Sequence, residues 1–194
     1  MEIEVIGEYG YEQAMLGISL SFNSTIEKSY QVAKSLAHKQ GGHNKFLESI
    51  QLWIDVDAPR DWWQNADTYR LSTKQSESTM HTITKRLLNQ DDFENDIYAC
   101  TLVCLNYDIA LYQRSVENEL KDSLFFNIKN NLPEGFLQRR IWNMSYKCLQ
   151  NIYNQRKNHK LPQWHRFLDT VLSQIEHPEF IIKPEKETTM VDST

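Results

Sequence analysis

The chain has no run of about 18 apolar residues, so nothing in it reads as a membrane span. It has no surplus of cations: 21 Lys and Arg stand against 26 Asp and Glu, a formal net charge of -5. That balance argues against a protein that tracks a nucleic-acid polymer, yet it suits a small phosphate-bearing ligand, which needs only a few placed cations. Neither GxGxxG nor a Walker loop is present, which excludes the common dinucleotide and mononucleotide folds by motif. Cysteine is scarce: Cys100, Cys104 and Cys148 are odd in number and lack a CxxC spacing. Such usage suits reduced thiols and a cytoplasmic protein. The opening MEIEVIGEYG has no basic stretch followed by an apolar one, so no secretory signal is expected. Cys100 and Cys104, one helical turn apart beside Leu102, Val103 and Leu105, read as core residues rather than metal ligands. His38 with His43, and His159 with His165, lack the four-residue step of a helical metal pair and an evident third ligand. No metal site is expected.

What is present is a globular chain of 194 residues, 40% hydrophobic, long enough for one domain with a core. We expect that domain over residues 1–182 and a mobile polar tail over 183–194, where no apolar stripe remains. Residues 2–6, EIEVI, alternate charge with aliphatic side chains as a strand does. Residues 11–20 form a short helix. A second begins at Ser24 or Thr25, carries Ile26, Tyr30, Ala33 and Ala37 on one face, and stops at Gly41-Gly42. In residues 50–56, IQLWIDV, the side chains Ile50, Leu52, Ile54 and Val56 alternate with Gln51, Trp53 and Asp55, the period of a strand with one buried side. Pro59 opens the next element. Beyond residue 80 the apolar residues recur at helical steps. One long helix is expected after an Asp91 or Asp92 cap, through Ile97 to Leu120, ending before Leu132-Pro133. Further helices follow over about 134–156 and 163–175. The class is α+β: a small sheet built early in the chain and packed by long helices.

The stretch with chemical interest is residues 67–81, Asp-Thr-Tyr-Arg-Leu-Ser-Thr-Lys-Gln-Ser-Glu-Ser-Thr-Met-His, directly after the Trp62-Trp63 pair. A solvated loop accounts for its polarity, and a ligand site accounts for it equally well. For a site speak the hydroxyls of Ser72, Thr73, Ser76, Ser78 and Thr79, and the cations Arg70 and Lys74, which suit a phosphate. Tyr69 or Trp63 offers an aromatic face for a stacked ring. The Asp55 and Asp57 pair on the polar side of a strand, and Glu134, Arg139 and Arg140 at a helix start, read as solvated faces.

These residues carry a resemblance to the flavin-dependent thymidylate synthases. That family's signature is Arg-His-Arg, seven residues, then Ser; here Arg70, seven residues and Ser78 reproduce its last arginine and its serine. Upstream, Gly42-His43-Asn44-Lys45-Phe46-Leu47-Glu48 resembles the family's GHxSxxEH, Asp57-Ala58-Pro59 its Glu-Ala-Pro, and Ser21-Phe22 its Ala-Arg-Val-Ser-Phe. Downstream, Leu132-Pro133, Arg139, Trp142, Ser145-Tyr146-Lys147, Arg156 and Gln163-Trp164 follow in the family's order, with one extra residue between Arg156 and Gln163. The chain departs from the pattern at several points. Thr68 and Tyr69 replace the first Arg and the His, and Ser49 replaces a histidine. Ser76 stands in place of a glutamate, with Glu77 adjacent; Met80 replaces an arginine, His81 a tyrosine and His165 a glutamate.

The resemblance implies a homotetramer that binds FAD and dUMP in sites shared between subunits. NADPH reduces the flavin and methylenetetrahydrofolate supplies the one-carbon unit, so most of the chemistry belongs to the cofactors. Carried over residue by residue, Arg70 and Ser78 are the catalytic candidates, and His43, Glu48, Thr68, Tyr69 and Arg70 are the flavin contacts. Gln75, Ser76, Glu77, Ser78, Met80 and Lys147 are the nucleotide contacts, with Lys147 replacing an arginine that holds dUMP. Two functions follow: reductive methylation of dUMP or a related pyrimidine nucleotide, or a non-catalytic nucleotide- or flavin-binding oligomer.

Overall fold

The alternation at the start of the chain is realised as strand β1 (Glu2–Tyr9), and that at residues 50–56 as β2 (Gln51–Pro59). Ile50, Leu52, Ile54 and Val56 are fully buried, as their spacing required. This computed structural model describes residues 1–39 and 41–183, so all but Lys183 of the expected tail lies outside the described residues. Between the two strands run α1 (Tyr11–Phe22) and α2 (Ile26–Ala37), close to their expected places. Gly10 caps α1 at φ +91, and a Cβ there would lie 2.3 Å from the Ser49 carbonyl oxygen, so glycine is required twice over. Helix α2 ends at Ala37, ahead of Gly41-Gly42; those glycines, at φ 74 and 82, turn the chain into a short 3-10 segment, Lys45–Glu48.

After β2 come α3 (Arg60–Ala66), strand β3 (Ser72–Ser76) and a single helical turn, α4 (Thr79–Thr82). The expected long helix is two. Asn89, bonded to Asp91 and Asp92, caps a short 3-10 turn at Gln90–Asp92; α5 (Ala99–Arg114) starts later, and extended backbone at Ser115 separates it from α6 (Asn118–Asn131). The larger correction lies beyond. Residues 137–145 form strand β4 (Leu137–Ser145) rather than the first half of a helix, and only α7 (Tyr146–Arg156) and α8 (Pro162–Gln174) are helical there. The strand period was disguised because Gln138 and Arg140 share a side of the strand with the buried Trp142 and Met144. The fold is α+β, a four-stranded antiparallel sheet in the order β1-β2-β4-β3, with eight α-helices among the described residues. No helix among them is long and apolar enough to cross a membrane.

The chain divides into two compact units, Met1–Glu4 with Ile54–Trp142, and Val5–Trp53 with Asn143–Thr194. The first has its apolar centre in Ile83, Leu88, Phe93, Leu105, Ile109, Ile128 and Leu132, where α5 packs on α6. The second packs α1 on α2 and α7 on α8, around Phe167, Trp164 and Phe180. There the buried Gln150 amide donates to the Ala37 and Phe180 carbonyls at 2.9 and 2.8 Å and accepts from Asn44 at 3.3 Å. Satisfying these groups removes the penalty of burying them.

Candidate functional site

Three indoles organise the first unit. Helix α3 is short, and it buries Trp62 and Trp63 completely; Trp142 of β4 meets both edge-on, with ring centroids 6.0 and 5.9 Å away. Trp63 Nε1 donates to the Gln138 carbonyl at 2.8 Å. Two cations close over this pile: the Arg140 guanidinium 4.4 Å from the Trp63 ring and the Lys74 ammonium 4.6 Å from that of Trp142. Asp67, at the end of α3, takes both charges, with Arg140 Nη1 at 3.1 Å and Lys74 Nζ at 3.8 Å. Trp63 therefore offers no free face to a stacked ring, and Lys74 is not a spare cation for a phosphate. Arg140, placed by periodicity at a solvated helix start, lies on a strand with its guanidinium against an indole.

From Asp67 the chain turns tightly. Thr68 is exposed, and its hydroxyl donates to the Asn65 carbonyl at 2.8 Å. Tyr69 is 7% exposed, so little of its ring remains for a ligand. Arg70 and Leu71 form the exposed tip, Leu71 being 88% exposed. Arg70 makes no hydrogen bond or ion pair with another described residue. Ser72 begins β3 with its hydroxyl 2.7 Å from the Tyr69 carbonyl, which ties the two sides of the tip together.

The remaining predicted residues follow on a sheet edge. Thr73, Gln75, Ser76, Glu77 and Ser78 are all exposed, and the Glu77 amide donates to the Arg139 carbonyl at 2.9 Å. An edge strand with one free side explains why a strand here is almost wholly polar. Ser78 caps α4, its carbonyl accepting from the amides of His81 and Thr82 at 3.0 and 3.1 Å. Met80 is 58% exposed. Between Ser78 and Met80, the buried Thr79 hydroxyl receives the Lys129 ammonium from α6. Burial, and then the nearby Arg60 charge, lowers the pKa of Lys129. Sequence reasoning missed this cation, because nothing in a helical stripe marks which exposed lysine will fold back onto a hydroxyl.

Thus Thr68, Tyr69, Arg70, Gln75, Ser76, Glu77, Ser78 and Met80 lie together in the first unit, along one turn, one strand and one helical turn. His43, Glu48 and Lys147 belong to the second unit. There His43 is exposed in the Gly41-Gly42 turn, Glu48 is exposed at the end of the 3-10 segment, and Lys147 is half-buried in the first turn of α7.

Other polar groups of the first unit are also placed. Asp55 is not simply solvated: Arg139 Nε lies 2.9 and 3.0 Å from its oxygens, and that hydrogen bond holds its carboxyl below the usual range. Burial pushes the neighbouring Asp57 carboxyl up, and Glu2 and Glu77 add to the effect. Cys100 and Cys104 are exposed rather than core, and they line a cleft of about 340 Å³ with Asp108, Asn127 and Asn131. Cys148, in the second unit, is buried. Among the described residues no group of three His, Cys, Asp or Glu side chains is arranged to hold a metal ion.

No protein-family model and no curated protein sequence matches this chain. Solved structures do. One, of the flavin-dependent thymidylate synthase ThyX from Helicobacter pylori complexed with FAD and dUMP, superposes with a TM-score of 0.72 at 16% identity. The match covers 94% of this chain and 98% of that one. A second structure of the same enzyme with FAD and dUMP gives a TM-score of 0.71 at 15% identity over the same shares. The likeness establishes a shared fold along nearly the whole chain, while identity this low leaves each site residue to be judged on its own surroundings.

Proposed function

We propose that this chain binds a pyrimidine nucleotide and a flavin through the exposed segment 68–80 and acts as a diverged flavin-dependent thymidylate synthase on dUMP or a related nucleotide. The observation that carries this reading is Arg70. It stands exposed and unpaired at the tip of the turn, while Lys74 and Arg140 are already bound to Asp67 and Arg139 to Asp55. An unpaired guanidinium eight residues before Ser78, followed by an edge of exposed hydroxyls and amides, is a donor set suited to a phosphate. The FAD diphosphate and the dUMP phosphate present that chemistry, so the residues present fit both groups.

In this reading FAD, when bound, would supply the redox chemistry, with NADPH as reductant and methylenetetrahydrofolate as carbon donor. The protein's part is binding and orientation. Arg70 contacts flavin and nucleotide oxygens and neutralises their charge; Ser78 and Gln75 donate to the nucleotide; Lys129 brings positive charge to the same stretch. Thr68 and Tyr69 stand in the flavin-contact positions, while Ser76, Glu77 and Met80 stand in nucleotide-contact positions. In the second unit, His43 and Glu48 are assigned to the flavin and Lys147 to the nucleotide. We take the functional form to be a cytoplasmic homotetramer with sites shared between subunits. The exposed Tyr98, Val103, Tyr107 and Phe126 supply apolar surface for such an assembly.

A second reading has its own support. Met80 replaces a cation with an exposed thioether, and Tyr69 is turned inward where an imidazole is usual, so the chain suits a binding protein that has lost methyl transfer. Incubation with FAD, gel filtration and a visible spectrum separate these readings from no site at all, and mass detection of methylated dUMP separates them from each other. Arg70→Ala is expected to weaken FAD or dUMP binding by about 1.5–3 kcal/mol, roughly ten- to a hundredfold, with an unchanged melting temperature. Unaltered binding with a fall in stability would assign Arg70 a structural role instead.

A further inference from the structure

We infer that Asp67 is the positioning residue of this site: its carboxylate gathers Lys74 and Arg140 into a clasp that sets the turn carrying Arg70. The inference rests on the reading of Arg70 as the anion-binding group, and it concerns a residue to which no ligand contact is assigned. Asp67 lies where α3 ends, its amide bonded to the Trp63 carbonyl at 2.8 Å, so its backbone is anchored on the indole pile. Its carboxylate accepts from Arg140 Nη1 at 3.1 and 3.2 Å, and the Arg140 Nη2 donates to Gln138 Oε1 at 3.2 Å. The guanidinium also lies 4.4 Å from the Trp63 ring centroid, so Arg140 is held by a carboxylate, an amide oxygen and an indole face.

Lys74 completes the clasp from the other side. Its ammonium faces Asp67 and the Trp142 ring, and it lies 3.4 Å from both the Tyr69 carbonyl and the Ser72 hydroxyl. Tyr69 and Ser72 flank the Arg70-Leu71 tip. One carboxylate therefore holds the lysine that holds both shoulders of the tip. It also takes up the charge of Lys74 and Arg140, whereas Arg70 pairs with no other described residue and is left for an incoming anion. An isolated exposed ion pair does little. Here two cations share the carboxylate and each is pinned on an aromatic face, so removing the charge frees both at once.

The test uses the full chain with Asp67→Asn, which keeps the size and removes the charge. Amide hydrogen exchange at residues 69–74 is expected to speed up about tenfold, while exchange in α5 and α6 stays as it was. The dUMP dissociation constant is expected to rise about three- to tenfold, with partial recovery in Asp67→Glu. In a cycle with Arg70→Ala, the double variant is expected to bind no more weakly than Arg70→Ala alone, because Asp67 acts through Arg70. Unchanged exchange at 69–74, or losses that simply add, would overturn the inference. If the wild-type protein takes up neither FAD nor dUMP, the functional reading fails, and the exchange measurement still decides whether Asp67 holds the turn.

Discussion

Two aromatic centres in this chain manage polar groups in opposite ways. Around Trp63 and Trp142 in the first unit the partners are the cations Arg140 and Lys74, both answered by Asp67. In the second unit the aromatic centre is Tyr11, Tyr30, His177 and Phe180, with the His177 ring stacked 4.0 Å from that of Tyr11. Its polar groups bond to one another. Glu179 accepts from Tyr30 at 2.7 Å and lies 3.1 Å from His177 Nδ1, while its carbonyl faces His38 Nε2 at 2.9 Å. The second centre turns its polar atoms inward and ties the segment after α8 to α2. The first answers both of its cations with Asp67, and in the turn beside it Arg70 is exposed and pairs with no other described residue. Inward closure suits a structural cluster, and a free donor at Arg70 is what the proposed binding site requires.

The largest expected effect tests the anchor of the first centre. Trp142→Ala removes a fully buried indole that touches both Trp62 and Trp63 and supports Lys74, so urea denaturation should show a loss of about 3–5 kcal/mol. A loss below about 1 kcal/mol would mean that the cations, not the indoles, hold this centre.

A smaller effect belongs to the second unit. The Tyr146 hydroxyl donates to the Glu8 carboxylate, and burial, reinforced by that bond, pushes its pKa up. Tyr146→Phe leaves Glu8 with the Glu176 amide at 3.0 Å and without its buried donor. The expected loss is about 1–3 kcal/mol by the same measurement. Stability equal to wild type would show the bond to be dispensable and weaken the view of this unit as closed inward.

Met80→Arg sharpens the contrast from the binding side, by giving the stretch 68–80 a second outward cation. If the nucleotide phosphate lies by Ser78, calorimetric titration should show dUMP bound more tightly by up to about tenfold, the gain shrinking as salt rises. No gain, together with a lower melting temperature, would exclude a phosphate at that position.

The smallest effects are in pH dependence, and their signs differ. At Glu179 burial pushes the carboxyl up, but hydrogen bonds from Tyr30, the backbone and His177 outweigh it and hold it below the usual range. Asp55 is held low by Arg139. Their stabilisation is therefore present above the ordinary carboxylate range and lost as pH falls through the depressed folded values. Asp57 is the reverse: with its pKa raised by burial, stability falls as pH rises from its unfolded value through its folded one. Asp57→Asn should then raise the melting temperature slightly at pH 7 and leave it unchanged near pH 3. Glu179→Gln should flatten the acid limb instead. Matching profiles for the two variants would erase the distinction.

Residues whose neighbours in sequence share their fate were legible without coordinates. The β2 alternation, α1, α2 and α8 follow from runs in which period and burial agree, because Ile50, Leu52, Ile54 and Val56 have only one way to leave water together. The order of matched motifs along the chain pointed to the fold that the solved structures share at TM-scores of 0.72 and 0.71. Tertiary structure alone decided the rest. Strand β4 escaped the period because Arg140 lies on the same side as Trp142, where it is stacked on Trp63 and paired with Asp67, a residue 73 positions away. Likewise Lys74 and Arg70 look equivalent as letters, and only the placement of Asp67 and Trp142 commits one and frees the other. Hydrophobic burial is written into local periodicity because it needs no particular partner. The charge state of a long side chain's surroundings depends on which distant residue the sheet brings within about 4 Å of it, and no window along the sequence contains that distance.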